Sequence, residues 1–108
     1  MTSKLDADVA ATAAAVLAQR GGRRLGRDVR AFIDVIATVP DQAPGEVSRV
    51  SLNALRALAE EVINRIEDYL AETDGPPRQE RELASSIYEI RKILERLHHW
   101  EKQHSPPS

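Results

Sequence analysis

The sequence predicts an all-α protein: a four-helix antiparallel bundle built on a long C-terminal helical hairpin and completed as a homodimer. Three observations carry this. Apolar residues recur at 3-4 spacing throughout the second half of the chain, from Ser51 to His104. Glycine and proline punctuate the chain at Gly21-Gly22, Pro40, Pro44-Gly45 and Gly75-Pro76-Pro77. No alternating β-branched run stands anywhere between them.

A first helix is expected over residues 4–20, with Leu5, Val9, Ala13, Val16 and Leu17 on its buried face. Six further or shared alanines between Ala10 and Ala18 give it high helix propensity and a thin profile, so another backbone can come close. Thr2 or Ser3 is its cap, Asp6 and Asp8 stand in the first turn, and Gly21 offers a left-handed end. A second helix follows over 23–38, with Leu25, Val29, Phe32, Ile33 and Ile36 on one side. Gly26 costs its first turn about 1 kcal/mol relative to Ala, which allows a start nearer Arg27. Pro40 forces Val39 out of helical dihedrals and ends it. Asp41 to Glu46 is a surface loop on turn chemistry.

The third helix is expected over 51–73, capped by Ser48 or Ser51, with Ser51 in better phase. Leu52, Leu55, Ala59, Val62, Ile66 and Tyr69 form a 3-4-3-4-3 seam that Leu58, Ile63 and Leu70 widen. The fourth helix, 77–104, starts at Pro77, whose missing N–H costs nothing there. Its seam is Leu83, Ile87, Ile90, Leu94 and Leu97, extended by Ile93 and Trp100. Residues 105–108, Ser-Pro-Pro-Ser, are expected to be disordered.

Lengths then pose a problem. The last two helices come to roughly 35–40 Å each and the first two to roughly 24–26 Å. A short pair would leave about a third of the hairpin's apolar face uncovered, more than a monomer normally exposes. A symmetric homodimer, its interface drawn mostly from Leu52–Leu70 and Leu83–Trp100, repairs this; a partner protein supplying further helices is the other remedy.

Composition narrows the function classes. The 108 residues make one domain, and the absence of cysteine excludes disulfides and thiolate metal sites. A net charge of −2, from 15 basic and 17 acidic residues, gives no general affinity for polyanions. No apolar run reaches the ~20 residues of a membrane span, and the first residues lack a signal-peptide layout, so a cytoplasmic protein without membrane contact is expected.

One charge concentration stands out. Arg20, Arg23, Arg24, Arg27 and Arg30 fall within eleven residues around a glycine turn, with Asp28 as the only local acid. They are candidates for an acidic protein partner or for the phosphates of nucleic acid, against the plainer reading of a solvated polar face. No aromatic is interleaved to stack a base, which disfavours nucleic acid.

Glu95-x-x-His98 has the spacing used in carboxylate-bridged metal bundles. Glu95, however, lies roughly 150° from the centre of the apolar arc, and Glu60, Glu61 and Glu67 also face outward. No metal or other cofactor is expected; His98 at the seam edge, His99 and His104 form only a weak candidate set. No nucleophile motif, P-loop or dinucleotide fingerprint is present. Tyr88 is the aromatic that falls outside the arc, whereas Arg49, Arg56 and Arg91 read as solvated. The expected function is non-enzymatic: a helical bundle acting by protein–protein interaction and assembly. A nucleic-acid-associated regulator and a metal-binding bundle, with metal-dependent catalysis, are the alternatives.

Overall fold

Each helix forms where the apolar period is 3.6 and stops where that period is broken. The computed structural model describes residues 4–18, 24–39, 49–72 and 77–104. Four helices occupy them: α1 (Lys4–Ala18), α2 (Leu25–Ile36), α3 (Arg49–Glu72) and α4 (Pro77–His104). No strand occurs among the described residues. The molecule measures 45 × 26 × 17 Å, its long axis matching the 28 residues of α4 at about 1.5 Å each. Helix α1 packs on α2 and α3, α4 packs on the same two, and α2 meets α3 across the middle, as in a bundle.

The edges differ from expectation in instructive ways. Helix α2 begins at Leu25, with Gly26 already inside it, and ends at Ile36 rather than at 38. Its end tightens into a turn because both the N–H and the hydroxyl of Thr38 donate to the Val35 carbonyl. That turn delivers Val39 into the core. Helix α3 begins two residues before Ser51. Ser51 is therefore no cap; its hydroxyl donates to Asp6 Oδ2 at 3.0 Å and ties α3 to α1. The other proposed caps (Thr2, Ser3, Ser48), the glycine pair 21–22, the loop 41–46, the bend 74–76 and the tail 105–108 lie outside the described residues.

One core runs through all four helices. Helix α2 buries its five expected apolar residues, while α1 buries only Val9, Ala13 and Val16. Leu17, expected inside, is 37% exposed because it lies about 80° round the helix from Val9. In α3 the seam is as read, with Leu52, Leu55, Ala59, Val62 and Ile66 buried, Ile63 beside them and Tyr69 half-buried.

In α4 the seam is turned. Leu83, Ser86, Ile90, Ile93 and Leu97 are buried, whereas Ile87, Leu94 and Trp100 are half-buried. The buried stripe sits about 40° from the one the leucine spacing suggests. Two neighbours cause this. Arg30 of α2 is bonded to Glu89 on one flank of α4, while Arg56 and Glu67 of α3 hold Glu101 and Arg91 on the other. The stripe that faces both neighbours lies between those flanks and includes Ser86. Its hydroxyl is satisfied within the helix by the Glu82 carbonyl at 2.9 Å.

The uncovered third of the apolar face of α3 and α4 does not materialise. Leu52, Leu55, Val62, Ile66, Leu83, Ile90 and Leu97 are all at most 4% exposed within a single chain. What stays partly open is Leu58, Tyr69 and Leu70 of α3 and Ile87, Leu94 and Trp100 of α4, with Tyr88 exposed. The short pair suffices because α1, with Ala13 fully buried, lies close, and Val39 extends the cover beyond the end of α2.

Candidate functional site

Charges on these helices are mostly consumed by neighbours. Arg56 and Arg91, read as solvated, in fact tie α3 to α4: Arg56 to Glu101, and Arg91 to Glu67 at 3.4 Å. Arg56 is half-buried, so it combines packing of its stem with its charge. Within the arginine cluster, Arg20 and Arg23 lie outside the described residues. Arg24, Arg27 and Arg30 are exposed. Arg30 is engaged by Glu89 of α4 and, at 3.9 Å, by Asp34. Arg24 and Arg27 make no ion pair among the described residues.

Helix α2 lies against one flank of α4, and the seam between them is not filled. A cavity of about 470 Å³ lies where Gly26 and Arg30 meet Gln79, Arg81, Leu83 and Ser86. Gly26 opens it: a Cβ there would meet nothing within 4 Å. A second, of about 290 Å³, shares Arg30 and Glu89 and is bounded by Ile33, Ala37, Tyr88 and Ile93. A third, of about 510 Å³, shares Lys92 and Arg96 and reaches Trp100 and Gln103. The first two share walls along the α2–α4 seam and form one open groove from Gln79 to Arg96, about 26 Å of α4, while the third continues beyond it on α4 alone.

The groove, together with this extension, balances in charge: Arg30, Arg81, Lys92 and Arg96 against Asp34, Glu82, Glu89 and Glu95. Tyr88 stands on its wall, 63% exposed, on the side of α4 opposite the core. The Lys92 ammonium sits 5.3 Å from the centre of the Tyr88 ring and 3.5 Å from Glu95. The Glu95 carboxylate first, and then Tyr88, hold Lys92 above the usual lysine range. Sequence reasoning singled out Tyr88 but missed the groove; the 3-4 spacing of Tyr88, Lys92, Glu95, His99 and Gln103 was its only sign.

His98 and His99 are both exposed, and the side chain of His104 lies outside the described residues. His98 leaves the seam edge because the turned stripe places it about 100° from the centre of burial. Glu95 is engaged by Lys92 rather than by a metal-binding neighbour. Among the described residues no three His, Cys, Asp or Glu side chains gather where a metal ion could be held. Among the described residues no helix is long and apolar enough to cross a membrane. No protein-family model, curated protein or solved structure matches the chain.

Proposed function

We propose that the protein is a non-enzymatic binding module that acts by protein–protein contact, with the groove between α2 and α4 as its principal surface. The observation that carries the reading is Tyr88, the large aromatic that stands in solvent on the wall of a groove about 26 Å long. A rigid aromatic beside mixed charges and an apolar floor is the composition that protein interfaces favour.

The architecture behind this surface is a pair of stacked hairpins. Ion-pair partners on α3 rise from Arg56 to Glu67 while those on α4 fall from Glu101 to Arg91, which supports an antiparallel hairpin. Along the α2–α4 seam, Gly26, Arg30 and Ala37 match successively later residues of α4, which supports two helices running side by side in the same direction. Assembly of the chain with itself belongs to this reading, but through surfaces other than the buried seam.

The test compares wild-type protein with Tyr88→Ala as bait in extract of the native cell, read by quantitative mass spectrometry. Truncating an interface aromatic costs about 2 kcal/mol or more, roughly thirtyfold in affinity. Proteins retained by the wild type should be lost with the variant. Identical recoveries from both would refute the groove as the surface. A nucleic-acid reading has one observation in its favour, the unpaired Arg24 and Arg27 on the outside of α2. Mobility shift at two salt concentrations decides it, since phosphate contacts weaken steeply as salt rises.

A further inference from the structure

Most charges left over after the interhelical pairs are made sort by side, with Asp8 of α1 and Glu80 of α4 as the exceptions. On α3, Glu60, Glu61, Asp68 and Glu72 are exposed and make no ion pair among the described residues. Ala57, Glu61, Asn64, Asp68 and Glu72 recur at 4-3-4-4 and form a ridge along its outer face. The described cations of α3 do not offset them: Arg56 is held by Glu101, and Arg65 is engaged already.

The opposite side carries the reverse sign. Arg24 and Arg27 of α2 and Arg81 of α4 are exposed and unpaired among the described residues. Arg27 neighbours Arg30 at i, i+3, and Arg30 shares a cavity with Arg81; the acids there, Glu82 and Glu89, are held by Arg78 and Arg30, so the unpaired charge of this surface is Arg24, Arg27 and Arg81 against Glu80. Lys4 and Lys102, also unpaired, belong to the far end of the bundle, where Arg56 meets Glu101. Because α2 and α3 pack against each other across the middle, their outer faces point in opposite directions.

We propose that copies of this chain associate head to tail, the acidic ridge of α3 in one copy seated on the arginine surface of α2 and the first turns of α4 in the next. Complementary patches on opposite sides do not close into a symmetric pair; they generate an open chain of copies. The ridge from Ala57 to Glu72 is about 24 Å long and about 10–12 Å wide, roughly 250 Å² a side. Stable complexes bury about 800 Å² a side, so this contact is weak and governed by charge. The inference rests on the reading of the protein as one that works through protein contacts, but on residues other than Tyr88, so the two fail separately.

Sedimentation equilibrium at about 0.01 M and about 1 M salt, where charges act over about 30 Å and about 3 Å, tests it. At low salt the weight-average mass should climb with concentration past twice the 12.0 kDa of one chain; at high salt it should return to one chain. Arg27→Glu with Arg81→Glu, and separately Glu61→Arg with Asp68→Arg, should each remain monomeric at low salt. Mixed in equal amounts, the two should associate again, because each restores the other's missing sign. Glu61→Gln with Asp68→Asn keeps shape while removing charge and should also be monomeric, with circular dichroism checking that every variant is folded. A 12.0 kDa mass at every concentration, a plateau at the dimer, association surviving about 1 M salt, or failure of the mixture would each overturn the proposal.

Discussion

Ile93→Ala and Leu94→Ala, adjacent on α4, test the turned stripe directly. Both changes remove three carbons, so chemistry is held constant while burial differs. Ile93 is 7% exposed, whereas Leu94 is half-buried. At about 0.8 kcal/mol per buried methylene, three carbons come to about 2.4 kcal/mol at full burial. The cavity left at Ile93 adds to this, for a total of about 3 kcal/mol. At Leu94 roughly half the transfer energy is lost, and solvent or a shifted neighbour fills the space, for about 1.2 kcal/mol. Helix propensity returns a few tenths of a kcal/mol to both and does not alter their order. Urea unfolding followed by helical circular dichroism gives the two midpoints, with a shared slope as the check that only the folded state changed. The gap should be roughly 1.5–2 kcal/mol, about 8–12 °C in melting temperature for a chain of this size. If Leu94→Ala proves the costlier change, α4 faces its neighbours as the leucine spacing suggests and the stripe derived from the ion pairs is wrong.

Gly26→Ala should raise stability by about 0.5–1 kcal/mol, since the position is helical and the added methyl meets nothing; an unchanged or lower melting temperature would contradict that geometry. Ser86→Ala should be neutral or stabilising by a few tenths of a kcal/mol, because the buried hydroxyl serves only its own helix, and a loss above about 1 kcal/mol in denaturant would show a partner elsewhere. Glu95→Gln should lower the titration midpoint of Lys92, followed by NMR at its Cε, because the carboxylate favours the ammonium. The sign follows from linkage: a raised lysine adds its small contribution below the usual lysine range and loses it as pH climbs through the raised midpoint.

Much of the architecture was legible because burial in helices leaves a periodic trace. Leu25, Val29, Phe32, Ile33 and Ile36 share one face in sequence and all five are buried, and the α3 seam follows its 3-4 spacing. The α4 stripe was misread because a wheel finds the most apolar arc, whereas the structure buries the arc that two neighbours can reach. Leucine at 94 and serine at 86 exchange places for that reason. Leu17 shows the same limit, apolar but beyond the reach of α2 and α3. The pairing of Arg56 with Glu101, 45 residues away, and of Arg30 with Glu89, 59 away, has no local signature at all. The groove was hidden for a related reason: it belongs to neither α2 nor α4 alone.

The slenderness of α1 has a consequence for motion. Its described buried side chains are two valines and an alanine, far less apolar surface than α2, α3 or α4 commits to the shared interior. Although α1 lies closer to α2 and α3 than α4 does, few large side chains hold it, so it should open at lower free energy than the whole molecule. Its amide protons should then exchange with solvent ahead of those in the two long helices, which hydrogen-exchange mass spectrometry would show. Were α1 to lift away, the sides of α2 and α3 that it shelters would be bared.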